Sequence, residues 1–419
     1  MKIKLIALFC LAAMTASASE IPNLVFPAGV GVNIHFIRGQ RKDLDMIAAA
    51  GFKWIRMDFA WDYTEKTKGV YDWSAYNELT ENLQKRGLSA IYILDYSNPL
   101  YEEKVEGKNG VTQAKERGVA SPQHPESIAA YSRWAAAAAA HFRGKQIIWE
   151  IWNEPNGSFW KPKPNADQYA ALAVSAAAAI HSANPQATII GPACAGFQWP
   201  FLETFLKSGV LENLDAVSVH PYRGVKSGPE TAAADYEKLR ALIEKYAPTD
   251  EKKQMPIISG EWGYSTQTGG ASLETQAAYA VRQQLSNLMH GVPISIWYDW
   301  KNDGKNAAYN ENNFGTVTYD LRPKPSYRAI KTLTGQLSGY VFKQRIAPRD
   351  DDYLLIFMSA RGQKLVAWTT GAPHTVKASF GSTNGLSAVV GMGKPFTPNI
   401  EDGKLVIDLE ALPKYITAK

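Results

Sequence analysis

The sequence predicts an α/β chain: a (β/α)8 TIM barrel followed by a small C-terminal all-β domain, a β-sandwich. Three observations predict it. Short apolar runs alternate with amphipathic or alanine-rich stretches from Gly29 to Trp300, at the spacing of βα units. Glycines follow several of the helical stretches, where a helix end needs a left-handed residue. Beyond Leu337 the helical stretches stop, and strand-like runs separated by turn residues take over.

In chain order, the strand candidates are Gly31–Phe36, Trp54–Trp61, Leu88–Ser97, Ile147–Asn153, Thr188–Ala193, Ala216–Pro221, Pro256–Glu261 and Ile294–Trp300. Eight such units are what a closed barrel requires. Between them, Asp43–Ala50 ends at Gly51, Ser74–Arg86 at Gly87 and Pro125–Phe142 at Arg143-Gly144, the pattern of capped helices. The alanine runs Ala135–Ala140 and Ala176–Ala179 read as structural helices, since alanine is the best helix former and packs closely. The expected division is a leader at 1–18, a barrel at 19–337 and a β domain at 338–419, the last read as a buttress for the barrel.

The N-terminus pairs Lys2 and Lys4 with an apolar stretch from Leu5 to Met14 and then Ala16-Ser17-Ala18, the pattern of a cleaved secretory signal peptide. The expected product is periplasmic or extracellular, with no transmembrane segment. The formal net charge is +5, with two of the positive charges in the leader, too mild to imply nucleic acid or a membrane surface. Of the two cysteines, Cys10 lies in the leader, so Cys194 has no partner and stability rests on a core. A monomer is expected. The 12 Trp and 20 Tyr exceed ordinary core needs, and aromatic faces suit stacking on sugar rings.

Two segments carry chemistry. In Trp149-Glu150-Ile151-Trp152-Asn153-Glu154-Pro155-Asn156 an apolar run ends in an Asn-Glu pair. Pro256-Ile257-Ile258-Ser259-Gly260-Glu261-Trp262-Gly263 repeats the design with a glutamate between glycines. Two glutamates at two strand ends are the minimum equipment for hydrolysing a glycosidic bond. A barrel gathers its strand C-termini at one face, so His35, Arg56, Asn153, Glu154, His220, Tyr222, Glu261 and Trp297 should share a pocket. Glu150, a full layer deeper than Glu154, reads as a structural carboxylate paired with Arg56 or another polar barrel residue.

These residues resemble the signature of the clan A (β/α)8 retaining glycoside hydrolases, over about residues 24–335. Trp152-Asn153-Glu154-Pro155-Asn156, Gly260-Glu261-Trp262-Gly263 and Asn313-Phe314-Gly315 most resemble glycoside hydrolase family 39, in particular its bacterial exopolysaccharide glycosidases, which carry a small β domain after the barrel. Families 5 and 30 share the core residues. The resemblance implies that Glu154 is the general acid/base, protonated partly under the charge of Glu261, and that Glu261 is the nucleophile. It further implies that Arg56 and Tyr222 hold Glu261 and that Asn153 reaches the sugar 2-hydroxyl. His220 would support Tyr222 or Glu261, His35 would touch a sugar hydroxyl, and Trp297 would floor the pocket, with Trp300 a weaker competitor.

Trp160, just after the acid/base, is a candidate platform on the leaving-group side, weighed evenly against ordinary packing. The polar loop from Asp299 to Phe314, with Lys301, Asp303, Tyr309 and Glu311, is long enough to shape substrate selection. No cofactor and no metal is called for: the seven histidines are scattered, and no nucleophile elbow, Walker loop or dinucleotide fingerprint occurs. The expected substrate is a polysaccharide or oligosaccharide, read as a bacterial exopolysaccharide cut internally. The alternatives are a plant-wall xylan, glucan or mannan, transglycosylation, and a non-catalytic carbohydrate-binding protein.

Overall fold

Each of the eight apolar runs contains a strand: β1 Val30–Asn33, β2 Trp54–Ala60, β3 Ser89–Asp95, β4 Ile147–Ile151, β5 Thr188–Ala195, β6 Ala216–His220, β7 Ile257–Trp262 and β8 Ser295–Trp297. They pair in parallel and in sequence, and β8 returns to β1 to close a barrel. This computed structural model describes residues 20–108, 115–346, 349–381 and 385–418. The leader expected at 1–18 lies outside the described residues. Both faces of each strand are covered, which is why the strands read as nearly unbroken apolar runs. Trp54, Ile91, Ile148, Ile190, Ala216, Ile258, Ile294 and Ile296 fill the barrel interior as a separate apolar cluster.

Among the described residues, eight helices form the outer ring: α1 Arg41–Ala49, α2 Ser74–Gln84, α3 Pro125–His141, α4 Ala166–Ala183, α5 Trp199–Lys207, α6 Ala233–Tyr246, α7 Leu273–Met289 and α8 Pro325–Leu337. Gly87, past the end of α2, takes φ 64°, the left-handed conformation a helix end favours. The alanine runs lie on the facing helices α3 and α4. Ala135, Ala138, Ala139, Ala173, Ala176 and Ala177 are buried, and the approach is close enough for Ser132 and Ser175 to share a 2.8 Å hydrogen bond. Among the described residues, no helix is long and apolar enough to cross a membrane.

After α8 the chain forms two antiparallel sheets around their own apolar cluster, which includes Leu354, Leu365, Ile407 and Ile416. One sheet has seven strands, the other three. One of the seven strands of the larger sheet is Val25–Phe26, from before the barrel, paired with Tyr340 and Val341. A buried knot ties this region to the barrel. Arg282 on α7 grips Glu230 at 2.7 and 2.8 Å, and Trp368 Nε1 donates to the same carboxylate at 2.9 Å.

Candidate active site

Strand alternation builds the site in layers. Ile148 inside the barrel puts Glu150 inside one layer higher, and Trp54 does the same for Arg56 and then Asp58. Likewise Ala216 leads to Ser218 and His220, and Ile91 leads to Asp95. The two glutamates of the motifs depart from this alternation. On β7, Ile258 and Gly260 share the inward face, and Glu261 would point away. A register irregularity against β8, between Ser259 and Trp262, accompanies the placement of Glu261 at the cleft instead. After β4, Trp152 and Glu154 both adopt left-handed backbone, with φ 65° and 47°, and the turn presents Asn153 and Glu154 to the cleft. Such strain concentrates where a site needs a side chain that regular structure would misplace.

Arg56 is the hub. It is fully buried, and its Nε donates to Glu150 at 2.6 Å, its Nη1 to Glu261 at 2.7 Å and to Asn33 at 3.3 Å, and its Nη2 to Asn153 at 2.7 Å. Glu150 is thus the buried partner of Arg56. Gly260 carries no side chain for a local reason: a Cβ there would lie 3.2 Å from Glu150 Oε1 and 3.4 Å from His220 Nε2. Tyr222 Oη donates to the other oxygen of Glu261 at 2.8 Å. Burial and the Glu261 charge push the Tyr222 phenol well up, so it remains a donor. Asn153 Nδ2 donates onward to Tyr96 Oη at 2.9 Å.

His220 corrects an expectation. Its Nδ1 lies 2.8 Å from Glu154 Oε1, so it serves Glu154 rather than Tyr222 or Glu261. One carboxylate oxygen of Glu154, one of Glu261 and a ring nitrogen of His220 all lie within 4.8 Å of one another. The two carboxylates open on a cavity of about 570 Å³, which Asn33, His35, Asp58, Tyr96, Phe159, Tyr298, Glu311 and Phe314 help to line.

Two tryptophans are not where they were expected. Trp297 is fully buried and faces Tyr264, outside the cleft. The alternation that places Ile294 and Ile296 inside the barrel puts Tyr298, not Trp297, at its mouth, and Tyr298 lines the cavity. Trp300 is buried as well, with Nε1 on Asp43. Trp160 is fully buried between Trp152 and Tyr169, and its half-buried neighbour Phe159 lines the cavity, stacked on Tyr96 at 5.5 Å. Asn33, Asp58, Tyr96, Phe159 and Tyr298 are the lining residues that sequence reasoning missed. Parity from Arg56 and Ile296 would have found Asp58 and Tyr298.

His35 lines the cavity rim, with Nδ1 3.0 Å from Asp303 and 3.8 Å from Asp299, both contributed by the loop after β8. Burial works against its positive charge. The hydrogen bond to Asp303 and the charges of Asp299, Asp303 and Asp58 outweigh burial and raise its pKa to about 9. Lys324, buried against Thr266 and Asn313 beneath the same loop, is pushed down to about 8 by burial. Folding thus assembles histidine–carboxylate clusters that spacing along the chain does not reveal. In the two at the cleft each histidine already has a carboxylate within hydrogen-bonding distance.

Residues 26–304 match the family described as Cellulase (glycosyl hydrolase family 5). A β-xylosidase of Caldicellulosiruptor saccharolyticus is 26% identical over 206 residues, 45% of this chain and 41% of that protein, so the match spans less than half of the relative's length. Among solved structures, a family 39 glycoside hydrolase from the gut symbiont Bacteroides cellulosilyticus WH2 superposes with a TM-score of 0.80 at 26% identity, over 94% of this chain and 81% of the other. A family 39 β-xylosidase from Caulobacter crescentus shares the fold with a TM-score of 0.67 at 18% identity, over 96% and 97% of the two chains. The family match covers more than half of the chain, and the arrangement of carboxylates stands at the barrel face where such enzymes keep theirs. The chain therefore belongs to the cellulase family of glycoside hydrolases, glycosyl hydrolase family 5, and its whole fold is similar to that of family 39 enzymes.

Proposed function

We propose that this chain is a retaining β-glycosidase acting by double displacement, with Glu154 as general acid/base and Glu261 as nucleophile. The observation that carries the reading is the approach of a Glu154 oxygen and a Glu261 oxygen to within 4.8 Å. That approach fits the roughly 5–5.5 Å between the carboxyl groups of a retaining pair better than the roughly 6.5–9.5 Å of an inverting pair. The partners divide the roles. Glu261 receives a guanidinium on one oxygen and a phenol on the other, which aim it at an anomeric carbon as a nucleophile. Glu154 has a single imidazole partner, able to give or take a proton as the glutamate cycles between acid and base. In the first step Glu154 protonates the departing oxygen while Glu261 forms a glycosyl ester. In the second, Glu154 takes a proton from water, which releases the sugar with its configuration retained. In this reading Asn153, held by Arg56, bonds the sugar 2-hydroxyl, and Tyr298, which lines the cavity, floors the reacting sugar.

The substrate reading is a β-linked polysaccharide outside the cytoplasm, a bacterial exopolysaccharide cut internally, consistent with the leader-like N-terminus. A β-xylosidase-like activity is the second reading, favoured by the proteins named β-xylosidase that resemble this chain. A panel of xylo-, gluco- and manno-oligosaccharides and secreted polymers, with products sized by mass spectrometry, separates them. Mixed oligomers mean internal cleavage, release of xylose alone means the second reading, and lengthened products mean transfer to sugar. Glu261→Gln should abolish product release in every case. Product release that persists in that variant contradicts the mechanism.

A further inference from the structure

Asp95, at the exit of β3, is completely buried, and neither carboxylate oxygen meets a hydrogen-bond donor among the described residues. A carboxylate so placed is costly unless it carries a proton. Its neighbour is Asp58. The β2–β3 register sets Asp58 opposite Ile93, so Asp95 lies one step further along the same inward face, beside Asp58. Two carboxyls can bond only through a shared proton, and the buried member is the one that carries it. Burial and the Asp58 charge together push Asp95 well above the usual carboxylate range. Asp58 lines the cleft beside Asn33, His35 and Arg56 and has no part in the bond-breaking steps.

The rest of the cleft points the same way. Glu154, Glu261 and Glu311 also line it. The cations at hand among the described lining residues are Arg56, each of whose three nitrogens is already bonded, and His35, whose Nδ1 is engaged by Asp303. A sugar acid entering there would meet more carboxylates than cations.

We infer that Asp58, oriented by the proton it shares with Asp95, is the hydrogen-bond acceptor that selects the sugar on the non-leaving side, favouring an uncharged, hydroxyl-bearing ring and rejecting a uronate. The inference rests on the glycosidase reading of the same cleft. Asp58 is a specificity-determining residue and Asp95 a positioning residue acting through it.

The test uses matched pairs of 4-nitrophenyl β-glycosides, glucoside with glucuronide and galactoside with galacturonide, which differ in charge at one carbon. Turnover is read on the full chain and binding on its Glu261→Gln variant. The neutral member of a pair should be preferred. Asp58→Asn should weaken neutral-sugar recognition by about 10- to 100-fold, the worth of a hydrogen bond to a charged group, and should narrow the gap to the uronate. The loss should fall mainly on KM. Asp95→Asn still donates to Asp58 and should restore most of the binding lost in Asp95→Val. If Asp95→Val does not fold, Asp58→Asn decides alone. No preference between the members of a pair, or an Asp58→Asn variant with unchanged preference, overturns the inference. Binding preference without any turnover would instead sink the hydrolase reading and leave this one standing.

Discussion

Arg56 Nη1 lies 2.7 Å from Glu261 Oε2 while Nε of the same guanidinium lies 2.6 Å from Glu150 Oε2, so one buried cation serves two carboxylates. The deeper carboxylate is as much a part of the site as the one facing the cleft, because it fixes the plane of the fork that aims Glu261. Replacing Arg56 with Met leaves two carboxylates without their cation. The expected cost is about 3–5 kcal/mol of stability, measured by urea unfolding. Arg56→Lys keeps the charge and loses the fork, so kcat should fall by roughly 10²-fold or more with the fold intact by circular dichroism. A Lys variant of near wild-type activity would show that the charge alone suffices.

His220 touches Glu154 and not Glu261, so its loss should impair proton delivery more than nucleophilic attack. His220→Ala is expected to slow glycosides with poor leaving groups by about 10²-fold while leaving dinitrophenyl glycosides, which depart unprotonated, much less affected. Equal losses across a leaving-group series would place His220 in general site structure instead.

Tyr298 and Trp297 are adjacent and should behave oppositely. Tyr298 lines the cavity, so Tyr298→Ala should raise KM about tenfold or more with little change in thermal stability. Trp297 is fully buried away from the cavity, so Trp297→Ala should cost about 3–5 kcal/mol in unfolding and leave KM close to its original value. The pair of measurements decides which aromatic ring meets the sugar.

The His35 bridge to the loop after β8 makes a pH-dependent contribution. Its folded pKa of about 9 lies above the ordinary histidine value of 6.5. Stability from this group is therefore fully present below pH 6.5 and is lost as the pH rises towards 9. The difference in Tm between the wild type and His35→Gln should shrink across that window. A difference that grows with pH would mean that the imidazole is not held as a cation by Asp299 and Asp303.

Much of this site was legible because chemistry and strand ends coincide. Glu154 and Glu261 terminate apolar runs, and Arg56, His220 and Tyr222 lie at comparable positions in their own units. Counting from an inward residue fails where the backbone leaves regularity. The irregularity in β7 and the left-handed residues Trp152 and Glu154 re-aim side chains by tertiary constraint, and local spacing does not register that. The Trp297 expectation failed for the opposite reason: it came from the family resemblance, while regular alternation from Ile294 and Ile296 brings Tyr298 to the cleft instead. The Asp58–Asp95 pair joins different strands, and the Val25–Phe26 strand pairs with residues beyond the whole barrel, so both depend on contacts made only when the chain closes.

Double displacement requires Glu261 to form a covalent bond to the sugar. The most direct test treats the enzyme with a 2-deoxy-2-fluoro-β-glycoside of an accepted sugar, digests it, and maps the adduct by peptide mass spectrometry. An ester on Glu261, absent from Glu261→Gln, is the predicted result. An adduct on Glu154, or steady turnover to an inverted product with no adduct, would contradict the account.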